Sequence, residues 1–176
     1  MNMRNIKERI KEHFFIYPTA KLRVRQIERE VKVPLPSVIR YTKELVREDI
    51  LQIVDVSGVR FYTSNRSSSI YLLEKKIFNL KIIYNSGLLE ELISKSNNAT
   101  IVLFGSYSRG EDTEKSDIDV YIEDMSVNEK EFYKFEKKIN RKIQLFKYKN
   151  IKAVENKELA NNIINGIVLN GRIEVF

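Results

Sequence analysis

The sequence predicts an α+β protein of two domains joined by a helix, and three observations carry that prediction. Apolar residues recur at helical spacing up to about residue 48 and then give way to two β-rich runs around a Ser-Gly pair. From residue 86 onward, short apolar strands alternate with helical stretches, the order of a small α/β sheet domain. Charge is unevenly divided as well. Residues 1–66 hold 14 Lys and Arg against 8 Asp and Glu, a net of +6, whereas residues 67–176 hold 17 against 16, a net of +1. A basic module beside a near-neutral one implies a polyanionic partner for the first and a separate task for the second.

Composition excludes several classes. With 43% hydrophobic residues over 176 positions, the chain can bury a core, so general disorder is excluded. Absence of cysteine removes disulfides, thiolate catalysis and Cys-based zinc sites together. A single histidine, His13, cannot build a His-rich metal site and reads as a packing residue at a helix end. No apolar run approaches the roughly 20 residues of a membrane span, and MNMRNIKERI lacks the apolar core of a signal peptide. The expectation is a soluble, cytoplasmic protein with no membrane partner.

Each element has its own signal. Ile6, Ile10, Phe14 and Tyr17 form a helical stripe that Pro18 closes, and Val24, Ile27 and Val31 share one face of a second helix. Val33-Pro34-Leu35-Pro36 is a stiff turn whose second proline suits the first turn of a helix over 36–48. Leu35, Val38, Ile39, Thr42, Leu45 and Val46 form the predicted buried stripe of that third helix. LQIVDV and VRFYTS, joined at Ser57-Gly58, read as a hairpin with glycine where positive φ is needed. Helix, helix, tight turn, helix, hairpin is the order of a winged helix-turn-helix, assigned to residues 1–66. Such domains set the third helix in the major groove of double-stranded DNA and the wing against its backbone. Ser37, Arg40, Tyr41 and Arg47 are the candidate DNA contacts on that helix and Arg60 the candidate on the wing, while Lys21, Arg23 and Arg25 could meet phosphates. Glu44 on the same face counts against the assignment, and a winged domain can instead bind protein.

The polar run SNRSSS reads as a hinge, followed by a linker helix in 67–85. Its Ile70, Leu73, Ile77, Leu80 and Tyr84 are spaced as a and d positions over about two heptads. The expectation is that this stripe packs on one of the domains, a homodimer through it being the alternative. In residues 86–176, Leu88, Leu89, Leu92 and Ile93 mark a helix, ATIVLF and DIDVYI two strands, and Phe132, Phe135 and Ile139 a helix at 128–140. KIQLFKY is a third strand, a helix follows near 155–165, and the sheet is expected to be mixed.

Chemistry concentrates in Phe104-Gly105-Ser106-Tyr107-Ser108-Arg109-Gly110 and the Asp117-Ile118-Asp119-Val120 that follows. Alternate residues of a strand share a face, so Asp117 and Asp119 would lie about 6.6 Å apart and could hold Mg²⁺ or Mn²⁺ together with phosphate oxygens. Gly105 permits close backbone approach. Free N–H groups and the Ser106 hydroxyl can cradle a triphosphate, and Arg109 can clamp it. Gly105 and Gly110 have P-loop spacing, but Glu111-Asp112 stand where Lys and Ser/Thr are required, so that reading fails.

GSYSRGEDTEKSDIDV resembles the G-S-x-[AS]-x-G…S-D-x-D signature of the DNA polymerase β-like nucleotidyltransferase superfamily, in particular its minimal nucleotidyltransferases, over residues 86–176. The resemblance implies that Gly105 and Ser106 bind an NTP and that Asp117 and Asp119 hold divalent metals. In that superfamily the next strand supplies a third carboxylate, which helps hold the metal and can act as base. Here Gln144 stands at that place, and it carries no charge and takes no proton. Glu123 has the right parity but lies about 13 Å along the strand from Asp119. Three functions are expected from this pattern: an Mg²⁺-dependent transferase moving NMP from NTP to a hydroxyl acceptor; a DNA-binding transcriptional regulator whose transferase domain only senses nucleotide; or an antitoxin-like protein paired with a small helical HEPN-type partner.

Overall fold

A computed structural model of the chain describes residues 6–124 and 126–175. It divides into two compact units, Met1–Phe78 and Asn79–Phe176, the division falling inside the helix read as a linker.

The first unit opens with α1 (Ile6–Ile16), α2 (Val24–Val31) and α3 (Leu35–Arg47), followed by β1 (Leu51–Val56) and β2 (Val59–Ser64). Pro36 sits in the first turn of α3, where its missing N–H costs no hydrogen bond. The strands pair antiparallel with Val56 opposite Val59. Ser57 and Gly58 both take positive φ (54° and 76°), the turn geometry that matches strand twist, and the Gly58 N–H donates to Asp55 Oδ1 at 2.9 Å. Leu22 adds a bridge to Tyr62, each backbone N–H donating to the other's carbonyl, which extends the hairpin by one short segment. Ile10, Phe14, Ile27, Val38, Leu45 and Leu51 form the core. Two members of the expected stripes face water instead: Tyr17 and Ile39 are exposed, while Phe15 is buried against Tyr71 and Phe78.

Helix α4 (Ser69–Ser86) departs most from expectation. Its buried residues are Tyr71, Lys75, Asn79, Ile83 and Ser86, whereas Ile70, Leu73, Ile77 and Tyr84, four of the five stripe residues, are exposed. The polar members of the buried face have partners: Lys75 Nζ donates to the Phe15 carbonyl at 2.9 Å within the first unit, and Asn79 is engaged within the second.

The second unit continues with α5 (Leu88–Lys95), β3 (Ile101–Phe104), the short α6 (Gly105–Arg109), β4 (Ile118–Ile122), a 3₁₀ turn (Glu129–Phe132) leading into α7 (Tyr133–Ile139), β5 (Ile143–Lys147), a second 3₁₀ turn (Ile151–Ala153), α8 (Lys157–Ile164) and β6 (Ile167–Asn170). The sheet order is β5-β4-β3-β6, with β4 parallel to β5 and the other pairs antiparallel, so it is mixed as expected. Strand alternation gives the sheet two apolar faces. Ile101, Leu103, Ile118, Val120 and Ile122 pack with Leu88, Leu92, Phe132 and Phe135, while Val102, Phe104 and Tyr121 pack with Ile151, Val154 and Ile163.

Candidate functional site

The site is built at the start of β4. Asp117 lies one residue before the strand and Asp119 is its second residue, so both have the parity of Tyr121 and project on the face that carries α8. The preceding loop is closed on itself: the Thr113 N–H donates to Ser116 Oγ at 3.0 Å and the Ser116 N–H to the Thr113 carbonyl at 3.2 Å. The Ile118 N–H donates to the Lys142 carbonyl at 2.8 Å, which anchors the residue between the two acids to the start of β5.

On the other side of β4, Phe104 of β3 is the registered neighbour of Asp119, and the chain turns immediately into α6. Gly105 holds φ at +73°, and a Cβ built there would fall on Asp119 Oδ2 and lie 3.2 Å from its Cγ. A side chain there would force that carboxylate to shift, and the positive φ itself favours glycine. Ser106 follows, half-buried, and Ser108 Oγ closes the turn by donating to the Gly105 carbonyl at 2.8 Å. Arg109 is exposed, with Nε donating to Glu111 Oε2 at 2.7 Å.

Burial raises the Asp119 carboxyl above the usual carboxylate range, the negative charge of Asp117 adds to the effect, and Arg109 opposes it. The Asp117 charge thus disfavours ionisation of Asp119, a cost that a cation beside the pair would relieve. Their oxygens are hard donors. Among the described residues, no group of three or more His, Cys, Asp or Glu is placed to hold a metal. Asp117 and Asp119 could hold a divalent cation only with water or other oxygen ligands completing its shell.

Gln144 is the registered partner of Asp119 across the parallel β4–β5 pair, so the two share a face, and Gln144 is exposed. Sequence reasoning missed two further features. Asn79, buried on α4, donates from Nδ2 to the Tyr107 carbonyl at 2.9 Å and to Asp112 Oδ1 at 2.7 Å, tying down the far end of the glycine turn. An open groove of about 590 Å³ also adjoins Asp117, and Lys115, Lys137, Arg141 and Lys142 are among its lining residues. No local motif signals either feature, since each joins segments distant in sequence.

In the first unit, Ser37 is half-buried and Arg40, Arg47 and Arg60 are exposed, as are Lys21, Arg23 and Arg25. Arg40 is committed within its own helix: Nε donates to Glu44 Oε1 at 3.0 Å and the guanidinium lies 5.2 Å from the Tyr41 ring centre. Tyr41 is half-buried against the core and is less available than its place on the helical wheel suggests. Glu44 faces both Arg40 and Lys7, so its charge is largely compensated.

The mixed sheet and its flanking helices fit the architecture of a nucleotidyltransferase domain. A family model described as a nucleotidyltransferase domain matches residues 86–173, half of the chain, and the protein belongs to that family. None of the curated proteins and none of the solved structures compared with it matches. Among the described residues, no helix is long and apolar enough to cross a membrane.

Proposed function

We propose that the protein is an Mg²⁺-dependent nucleotidyltransferase that moves an NMP from an NTP to a hydroxyl acceptor on protein or nucleic acid, releasing pyrophosphate. The observation that carries this reading is the placement of Asp119, pressed against the bare Cα of Gly105 with Asp117 on the same face. The glycine turn presents the Gly105 and Ser106 backbone and the Ser106 hydroxyl to the triphosphate, and Arg109 offers its remaining guanidinium donors. Asp117 and Asp119 would hold the divalent cation, which when bound neutralises phosphate charge and lines up the α-phosphorus for displacement. In the transfer, the acceptor oxygen bonds to the α-phosphorus, the bond to the β-phosphate oxygen breaks, and the acceptor proton departs. Gln144 cannot take that proton, which leaves the carboxylates of Asp117 and Asp119 or solvent as its destination. Asp117→Asn and Asp119→Asn should each abolish NMP transfer while leaving the thermal melt in place. Transfer that survives both would refute the site.

A second reading is favoured by one observation, the neutral Gln144 beside Asp119. Here the domain binds nucleotide with little turnover, and the chain acts as a winged-helix regulator or an antitoxin-like protein with a small helical HEPN-type partner. In either case the first unit would bind double-stranded DNA through α3 and the hairpin. The net charge of +6 over residues 1–66 and the exposed Arg40, Arg47 and Arg60 support that role. Salt-dependent duplex binding with no pyrophosphate release, even with acceptors supplied, would select this reading over the first.

A further inference from the structure

The apolar stripe of α4 is turned to water. Ile70, Leu73, Ile77 and Tyr84 are 47%, 58%, 41% and 53% exposed, and with half-buried Leu80 they run along one face of an 18-residue helix about 27 Å long. Exposed large side chains clustered on one element mark an interaction surface. Their spacing is that of alternating a and d positions, the pattern by which one helix packs along another.

We propose that two copies of this chain associate through α4, antiparallel, about a two-fold axis between Ile77 and Leu80. In that arrangement a positions meet d positions: Leu73 packs on Tyr84 of the second copy and Ile77 on its Leu80, each contact occurring twice. The flanking charges select the direction. Antiparallel packing sets Glu74 beside Lys81 of the other copy, again twice, and sets Lys76 beside an apolar residue. Parallel packing would set Lys76 beside Lys81 twice, a like-charge pairing on both edges. Lys81 is exposed, and Glu74 keeps exposed surface although its Oε2 accepts from Lys11 of its own chain at 3.0 Å.

Size-exclusion chromatography with light scattering on the full chain, across micromolar concentrations, tests it. The wild type should run as a dimer and Ile77→Lys as a monomer with an unchanged circular-dichroism melt. As a milder variant, Lys81→Glu should weaken the dimer roughly tenfold by placing glutamates beside Glu74, and Glu74→Lys combined with it should restore association. Because the chain has no cysteine, direction can be read by oxidation. Leu73→Cys alone should stay uncrosslinked, its copies lying about 16 Å apart along the axis, whereas Leu73→Cys with Tyr84→Cys should give a covalent dimer. A wild type that is monomeric throughout, or monomeric but held to a different protein, would overturn the proposal. So would a dimer indifferent to Ile77→Lys and Lys81→Glu, and crosslinking of Leu73→Cys alone would overturn the antiparallel direction.

Discussion

The carboxylate of Asp119 occupies the space that a side chain on residue 105 would need: a Cβ on Gly105 would fall on Oδ2 and lie 3.2 Å from Cγ. Gly105 also holds φ at +73°, so alanine there is opposed by backbone as well as by contact. Gly105→Ala should therefore displace Asp119 and abolish Mg²⁺-dependent nucleotide binding, with a loss of about 1 kcal/mol or more in stability from the φ requirement. Calorimetric titration with NTP alongside a thermal melt separates the two effects. Full nucleotide binding in the variant would show that the contact does not position the site.

Gln144 and Asp119 are partners across β4 and β5, which makes Gln144→Glu an informative gain of charge. A third carboxylate on the same face should tighten Mn²⁺ binding and raise NMP transfer by about 10² or more if proton removal limits the wild type. Metal titration and pyrophosphate release under saturating NTP measure both. Unchanged metal affinity would mean that the glutamine position does not reach the cation.

Asn79 reaches from α4 to the Tyr107 carbonyl and to the buried Asp112, bracing the end of the glycine turn. Asn79→Ala removes two hydrogen bonds from a buried cluster and should cost about 1–3 kcal/mol for the group left under-satisfied. A denaturant midpoint unchanged from wild type would contradict that bracing role.

His13 is wedged between the rings of Phe14 and Tyr17, centroids 5.6 and 5.1 Å away, with Nε2 3.1 Å from Glu30 Oε2. Burial pushes its pKa below the ordinary 6.5, and the nearby Glu30 charge offsets this only in part. The folded state thus binds a proton less readily than the unfolded chain. Its contribution to stability is complete above the ordinary value and is lost as pH falls through the folded one. The melting temperature should drop between about pH 7 and pH 5 by an amount that His13→Gln reduces. An identical pH profile in the variant would assign the drop to other groups.

Salt dependence tests the first unit. Arg47→Ala and Arg60→Ala should each weaken duplex binding and make log K less steep against log salt by about one charge. Arg40→Ala should have a smaller effect on affinity because Arg40 is already paired with Glu44 and stacked on Tyr41. Binding that ignores all three substitutions would exclude α3 and the hairpin as the DNA-contacting surface.

Local signals made much of this architecture legible. Ser57-Gly58 announced the hairpin, and the D-x-D run marked the strand of the second unit that carries Asp119. Helix α4 misled because its a and d residues form the better apolar stripe, yet the helix buries Tyr71, Lys75, Asn79 and Ile83 instead. Two of those four are polar, and they are tolerated inside only because the Phe15 and Tyr107 carbonyls and Asp112 receive them. Those partners lie 60, 28 and 33 residues away, beyond any periodicity. The Leu22–Tyr62 bridge and the groove beside Asp117 escaped notice for the same reason. Ile39 was misplaced because a helical wheel fixes angle but not the reach of the neighbouring core.

Binding of labelled ATP and then the other NTPs, with and without Mg²⁺, to wild type and Asp119→Asn, tests the central claim most directly. Mg²⁺-dependent binding of at least one NTP to the wild type, lost in a folded Asp119→Asn, is the expected result. No binding of any NTP, or binding undiminished by the substitution, would contradict it.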